Sequence, residues 1–216
     1  MAGIGCRIAF LAAALSPTAA IAHPHVFVDA TVEIVFDKSG KMAAVRNIWQ
    51  FDDAFSEYAI QGLDKNDDGK LSDDELKPLA KVNVDSLKDF AFFTYLSIGK
   101  DEPAFVPPKE YWLEFHGGRL TLFFTLPLKK PVAVGPKTML EIFDPEYFVA
   151  FEFAKKNPVK LDGAPAGCTA VHHPPKALDG ATMAILAQIP VDQHDLPPDL
   201  VEAASSLANY IAVSCP

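Results

Sequence analysis

A run of alternating apolar and polar residues begins at His25 and constrains the fold more than any other stretch of the chain. In an extended chain successive side chains point to opposite sides, so the apolar residues of this run share one side. These apolar residues are Val26, Val28, Ala30, Val32, Ile34 and Phe36. The other side carries Phe27, Asp29, Thr31, Glu33 and Val35. The pattern predicts a half-buried β-strand with one face on a hydrophobic core.

Strand-like segments recur along the chain and indicate a mainly β fold. Gly117-Gly118 separates two of them and is a strong hairpin signal. The predicted strands are Met42 to Phe51, Tyr111 to His116, Arg119 to Leu128, Thr138 to Phe143, Tyr147 to Phe153, Cys168 to His172 and Tyr210 to Ser214. Eighteen prolines and sixteen phenylalanines in 216 residues argue against a helical bundle. We therefore expect a single antiparallel β-sandwich-like domain over residues 23–216.

A helical insertion is predicted at about residues 52–92, directly after the second strand. Asp52 is placed to cap a helix from Asp53 to about Leu63, and apolar residues at helical spacing continue to about Phe92. Near the other end of the chain, Leu178 to Gln193 is expected to be mostly loop and Leu200 to Leu207 to be helical. The expected architecture is thus a β domain that carries a helix–loop–helix.

The loop of this insertion, DKNDDGKLSDDE at residues 64–75, has the spacing of an EF-hand calcium loop. Gly69 stands where such a loop turns sharply, and Lys70 contributes only its backbone carbonyl. The six predicted ligands are Asp64, Asn66, Asp68, Lys70, Ser72 and Glu75. Hard oxygen ligands favour Ca²⁺ over Zn²⁺, although a solvated acidic turn has a similar composition. A single hand is expected to bind weakly and to act as a structural brace.

The first 22 residues have the features of a cleaved signal peptide. A short apolar run from Ile8 to Leu15 follows Arg7, and Ala20-Ile21-Ala22 gives an A-x-A cleavage pattern. The run is too short to span a membrane, and no later stretch is long enough, so the mature chain is expected in the periplasm without a membrane span. Removal of Arg7 leaves 18 basic against 28 acidic residues and a net charge of −10. This charge argues against nucleic acid as a partner and is compatible with cations.

Two cysteines remain after cleavage removes Cys6, and an oxidising compartment favours their pairing. We therefore predict a disulfide between Cys168 and Cys215. Two buried thiols are the alternative, since the spacing does not fit a local zinc knuckle.

The sequence HPHVFVD at the predicted mature terminus is the second candidate metal site. His23, His25 and Asp29 fall on one face of the first strand, and cleavage after Ala22 would add the α-amine of His23. Two imidazoles and a carboxylate suit Zn²⁺, Ni²⁺, Co²⁺ or Cu²⁺, whereas a solvated terminus needs no such role. His116, the His172-His173 pair and His194 are weaker candidates to complete such a site. No nucleophile or phosphate-loop motif is present, so we do not expect an enzyme.

Several segments together resemble an exported bacterial family labelled "ABC-type uncharacterised transport system, periplasmic component". They are AHPHVFVD, WQFDDAFS, LDKNDDGKLSDDEL, FDPEYF and the terminal SCP. Members of that family often lie beside nickel/cobalt-type permeases, and some are implicated in zinc uptake. The resemblance implies a periplasmic accessory to divalent-metal transport with a membrane permease as partner. Asp144 of FDPEYF is a candidate from the sequence itself, because it lies at a predicted strand break close to Tyr147, although residue type favours an ordinary Asp-Pro turn. The resemblance makes Asp144 a third candidate ligand beside His23 and His25.

Three hypotheses follow from the sequence. The first is a periplasmic zinc, nickel or cobalt accessory protein with a structural calcium loop. The second is a calcium-stabilised β-rich module that binds another protein and has no transport role. The third is a copper enzyme that uses the amino-terminal His23 and needs a further histidine facing it.

Overall fold

A computed structural model of the chain describes residues 24–135, 137–189 and 196–216. The predicted signal peptide, including its cleavage point, and His23 and His194 lie outside the described residues. Within them the strands β1 to β10 are, in chain order, Val26–Phe36, Met42–Phe51, Thr94–Ile98, Tyr111–His116, Arg119–Val132, Thr138–Ile142, Val149–Phe153, Val159–Asp162, Thr169–His173 and Asn209–Ser214. The helices α1 to α4 are Asp53–Ala59, Asp73–Leu87, Gly180–Leu186 and Pro198–Ser205. The fold is mainly β with two sheets and a few helices.

The larger sheet has the strand order β4-β5-β2-β1-β7, with β8 also paired to β1. β1, β2, β5 and β4 are antiparallel neighbours, as the alternating pattern and the Gly117-Gly118 hairpin predict. β7 and β8, however, both run parallel to β1, one beside its first half and the other beside its second half. The expectation of a wholly antiparallel domain is therefore wrong at this edge. A parallel pairing needs a long connection, and here about a hundred residues separate β1 from β7.

The smaller sheet has the order β3-β6-β10-β9 and is antiparallel throughout. Buried residues of both sheets belong to one hydrophobic core. Trp49 of β2 connects several strands within this core, since its ring lies 4.7 Å from that of Phe124 in β5 and 4.9 Å from that of Phe151 in β7. The apolar face of β1 is buried as predicted, with Ala30 and Ile34 fully inaccessible.

A buried asparagine joins the two sheets. Asn209 of β10 donates from Nδ2 to the carbonyl of Phe151 in β7 (2.8 Å), and its Oδ1 lies 2.9 Å from Nε2 of His172 in β9. Its side chain is 1% exposed, so both of its polar atoms are satisfied by protein groups rather than by solvent. This bridge fixes how β10 lies against the parallel edge of the larger sheet.

The helices between β2 and β3 are shorter than the sequence predicts. Asp52 caps α1 as expected, accepting a hydrogen bond from the Phe55 N–H (2.8 Å), but α1 ends at Ala59 rather than near Leu63. α2 buries Leu76, Ala80 and Val84 and packs against β4. After Leu87 the helical pattern continues only as a 3₁₀ segment, Lys88–Phe93, before β3 begins.

α3 and β8 are elements that the sequence predictions do not contain. The segment from residue 178, expected to be mostly loop, contains α3, which Asp179 caps by accepting hydrogen bonds from Ala181 and Thr182. Leu186 of α3 packs with Ile189 and Leu200 in a small second core. The short strand β8 carries no clear alternation and was not predicted. Among the described helices, none is both long enough and apolar enough for a membrane crossing.

Candidate metal-binding sites

The acidic loop lies between α1 and α2, and its middle residues fold back to donate hydrogen bonds to its first residue, Asp64. The carboxylate of Asp64 accepts hydrogen bonds from the N–H groups of Gly69 (2.9 Å) and Asp68 (3.3 Å). Asp67 and Gly69 have positive φ angles of 56° and 76°, which produce the tight turn. A glycine adopts such an angle without steric cost, which explains its place at the sixth position of the loop.

The middle of the loop is held by hydrogen bonds between neighbouring polar residues. Asn66 Oδ1 accepts from the Asp68 N–H (3.0 Å), and Asp68 Oδ1 accepts from the Lys70 N–H (2.8 Å). Asn66 also donates from Nδ2 to the other Asp68 oxygen (3.1 Å). The side-chain oxygens of the predicted calcium ligands are thus held within one short loop by the loop's own backbone.

Glu75, the last residue of the loop, joins its two ends. One carboxylate oxygen accepts from the Lys65 N–H (2.9 Å), and the other accepts from the N–H (2.9 Å) and hydroxyl (2.7 Å) of Ser72. The Ser72 contacts form a capping box at the start of α2. The backbone N–H of Ser72, followed by its hydroxyl and the Lys65 N–H, lowers the pKa of Glu75 to about 2. Glu75 is therefore ionised at neutral pH and is tied to both halves of the loop.

The structure brings His25 and Asp144 to the same end of the larger sheet. The His25 N–H donates to the carbonyl of Phe148 (2.9 Å), and the two rings lie 4.7 Å apart. Asp144 is 4% exposed, and its Oδ2 accepts from the N–H groups of Phe148 and Val149, both at 2.9 Å. Its Oδ1 accepts from the Glu146 N–H (2.9 Å). Phe148 therefore contacts both predicted ligands where β1 meets β7.

Asp29, the remaining predicted ligand at this end, has a different partner. Its carboxylate pairs with Nη1 of Arg119 at 2.8 Å, and the same guanidinium group also donates to Gln50 and to the carbonyl of Phe51. Asp29 of β1 is thus paired with Arg119 of β5, and its carboxylate is engaged there rather than with Asp144.

The other described histidines have neighbours that account for them. His116 is exposed in the hairpin, 3.6 Å from a Glu114 carboxylate oxygen. His172 stacks on Phe153 and contacts Asn209, and His173 stacks on Tyr210 at 4.4 Å. In the parts of the chain that the structure describes, no three His, Cys, Asp or Glu side chains are grouped as a metal site. Metal binding at either candidate site therefore requires a turn of its side chains or a donor from outside these parts.

The predicted disulfide between Cys168 and Cys215 is present. The register of β9 and β10 explains it, because Ser214 lies opposite Thr169 and the next pair outward is Cys215 and Cys168. The chain is tight here, since a Cβ added at Gly167 would lie 2.8 Å from a ring carbon of Pro216.

Comparison with known proteins identifies a family but no activity. A family model described as "protein of unknown function (DUF1007)" matches residues 8–215. An uncharacterised 15.5 kDa protein from the trpE 3′ region of Spirochaeta aurantia is 30% identical over 102 residues, covering 47% of this chain and 73% of that protein. An uncharacterised protein of Haemophilus influenzae is 26% identical over 155 residues, covering 68% of this chain and 71% of its own. The chain therefore belongs to the DUF1007 family of proteins of unknown function.

Proposed function

We propose that this chain is a periplasmic metal-binding accessory protein of a divalent transition-metal transport system, with zinc, nickel or cobalt as its cargo. The observation that carries the proposal is the position of His25 and Asp144, which both contact Phe148 at one end of β1. His25 lies two residues after the predicted mature terminus, where the α-amine and imidazole of His23 would add donors. An imidazole set with a carboxylate suits a borderline metal better than Ca²⁺.

The acidic loop is the second part of the proposal and acts as a structural calcium site. Its support is the EF-hand spacing together with the position of Glu75, whose carboxylate reaches both Lys65 and Ser72. Calcium would hold α1 and α2 at a fixed angle beside β4, against which α2 packs. This role is separate from metal transport, because the loop and the His25 end lie on different elements.

A partner permease of the nickel/cobalt type follows from the family resemblance and not from any surface of the molecule. The alternative function is a calcium-stabilised β-rich interaction module with no transport role. The acidic loop favours this alternative, because its six predicted calcium ligands all lie within residues 64–75 and the histidine end supplies none of them.

Metal analysis of the purified mature protein distinguishes the two functions. The protein is brought to equilibrium by dialysis against an equimolar mixture of calcium, zinc, nickel, cobalt and copper salts, and the excess of each element on the protein side is measured. The accessory function predicts one equivalent of zinc, nickel or cobalt that is lost below about pH 6, where imidazoles become protonated. Retention of calcium alone would favour the interaction module, and copper with oxygen-dependent turnover would favour an enzyme.

A further inference from the structure

A groove runs along β3, and its lining contains none of the candidate metal ligands. Its walls are β3, the end of β6, the 3₁₀ segment before β3 and residues 102–107, and its volume is about 620 Å³. We call it the β3 groove. A concave space of this size is typical of small-molecule sites.

The carboxylate of Glu141 lines the β3 groove. Within residues 24–135, 137–189 and 196–216, no hydrogen bond or ion pair of this carboxylate is present. Tyr95 stands opposite Glu141 on β3 and Tyr210 stands opposite it on β10, so aromatic residues occupy both cross-strand positions. Burial beside these rings raises the pKa of Glu141, because desolvation disfavours the charged form.

The charges of the groove favour a positively charged ligand. Its lining includes the acidic Glu102 and Glu141, and its basic residue is Lys88. The Lys88 ammonium group is already paired with the Asp85 carboxylate at 2.6 Å. The groove therefore presents net negative charge in a chain whose formal charge is already −9.

Aromatic and apolar side chains line the rest of the groove. The rings of Tyr95 and Phe143 lie 5.1 Å apart on one side, and Phe92 and Phe105 contribute further apolar surface. Aromatic faces attract cations, and the attraction grows when the site is shielded from water. A carboxylate among such rings suits an organic cation with an apolar stem better than a hydrated metal ion.

An unusual backbone conformation shapes the wall of the groove. Ala91 and Phe92, which both line it, have φ angles of 50° and 55°, in a region that L-residues rarely adopt. The Thr94 hydroxyl donates to the Phe92 carbonyl (2.8 Å), and Asn47 Nδ2 donates to the Thr94 oxygen (3.2 Å), so the core holds this segment in place. Such conformations are concentrated at ligand sites.

We infer that the β3 groove binds an alkylguanidinium or alkylammonium group, with Glu141 as its counter-ion and Tyr95 and Phe143 as its aromatic wall. The cation would pair with the Glu141 carboxylate, which no group in the described part of the chain contacts by hydrogen bond or ion pair. The inference does not depend on the proposed metal function, because neither the acidic loop nor the His25 end contributes a residue to this lining.

The test is a titration of the intact protein with n-butylguanidinium, followed by NMR of the Tyr95 and Phe143 ring signals. N-butylurea, which has nearly the same shape without the charge, is the matched probe. We expect butylurea to bind at least about tenfold more weakly, because a charge-assisted pair is lost. Glu141→Gln should weaken butylguanidinium by about the same factor, whereas Glu57→Gln, which removes a carboxylate outside the groove, should not change it.

Two further measurements complete the test. Tyr95→Leu should weaken the guanidinium several-fold while leaving the fold unchanged by circular dichroism. A blocked Gly-Arg-Gly peptide that binds more tightly than butylguanidinium would assign the natural cation to a protein side chain, and weaker binding would assign it to a free small molecule. Equal affinity for butylguanidinium and butylurea, unchanged affinity in Glu141→Gln, or no ring-signal shift with any cation would overturn the inference.

Discussion

Removal of one carboxylate from the acidic loop should abolish calcium stabilisation while leaving the fold intact. Glu75→Gln is the change, because Glu75 is the residue that reaches both ends of the loop. Glutamine at this position can still form a capping box with Ser72, so the fold is kept, but the charge-assisted hydrogen bonds of the carboxylate are lost and the melting temperature without calcium should fall somewhat. Loss of the calcium site is therefore read from the rise in melting temperature that calcium causes in each protein.

The size of that response follows from mass action. Single extracellular EF-hands bind with Kd of about 10⁻⁴ to 10⁻³ M, so 10 mM calcium is roughly 10 to 100 times Kd and stabilises the folded state by about 1.4 to 2.7 kcal/mol. For a chain of this size, 1 kcal/mol raises Tm by about 2–4 °C, which gives a rise of about 3–10 °C. We expect Glu75→Gln to reduce that rise to less than about 1 °C, since the predicted bidentate ligand is lost.

Differential scanning calorimetry with and without calcium measures the effect, and magnesium at the same concentration controls for ionic strength. Asp74→Asn is the matched control variant, because it removes a neighbouring carboxylate that is not a predicted ligand. It should keep the full calcium response. A Glu75→Gln protein that calcium stabilises as much as the parent would show that the loop is not the calcium site.

Three further predictions concern pH, the sheet bridge and the disulfide. The folded pKa of Glu75 is depressed to about 2, so its stabilising contribution should be complete above about pH 4.5 and should disappear as the pH falls toward 2. Urea unfolding should therefore show the free energies of unfolding of Glu75→Gln and the parent converging over this range. Asn209→Ala should lower the free energy of unfolding by about 2–4 kcal/mol, because the Phe151 carbonyl and the His172 ring each lose a hydrogen bond to Asn209. A change below about 0.5 kcal/mol would contradict the bridge. Cys168→Ser combined with Cys215→Ser should cost about 4 kcal/mol in the chain-entropy model for a separation of 47 residues, and equal stability of the double variant and the parent would refute this.

Local patterns in the sequence were sufficient to predict the strands that bury one face. β1, β2 and the β4–β5 hairpin appear where the period-two alternation and Gly117-Gly118 place them. The disulfide could also be predicted, because only two cysteines follow the predicted signal peptide. The strand pattern depends on neighbouring residues, which the sequence shows directly.

Long-range pairings could not be predicted in the same way. The parallel edge depends on β7 and β8 returning to β1 after more than a hundred residues, and local periodicity does not encode strand direction. α3 was missed because its seven residues are too few to show a helical period clearly. Glu141 gave no signal either, since a lone glutamate between apolar strand residues resembles any solvent-facing position.

The acidic loop and the histidine end differ in how far their ligands could be predicted. The predicted ligands of the loop are close in sequence, and the structure keeps them close in space, because the N–H groups of Asp68 and Gly69 donate to the Asp64 carboxylate. At the histidine end, spacing alone placed Asp29 with His25, but the side chain of Asp29 pairs with Arg119 from a distant strand. Asp144, which the sequence places at a strand break and the family resemblance adds as a third ligand, is the carboxylate that shares Phe148 with His25.

Isothermal titration of the mature protein with zinc tests the central claim most directly. The claim predicts one site of about 1:1 stoichiometry whose affinity is lost in the His23→Ala, His25→Ala double variant, while 10 mM calcium still raises the Tm of that variant by roughly the amount seen in the parent. Phe148→Leu is the control for packing at the same end of the sheet. The Phe148 side chain has no metal donor, so this variant should still bind zinc. If the double variant binds zinc with the affinity of the parent, the histidine end is not a metal site and the accessory function is contradicted.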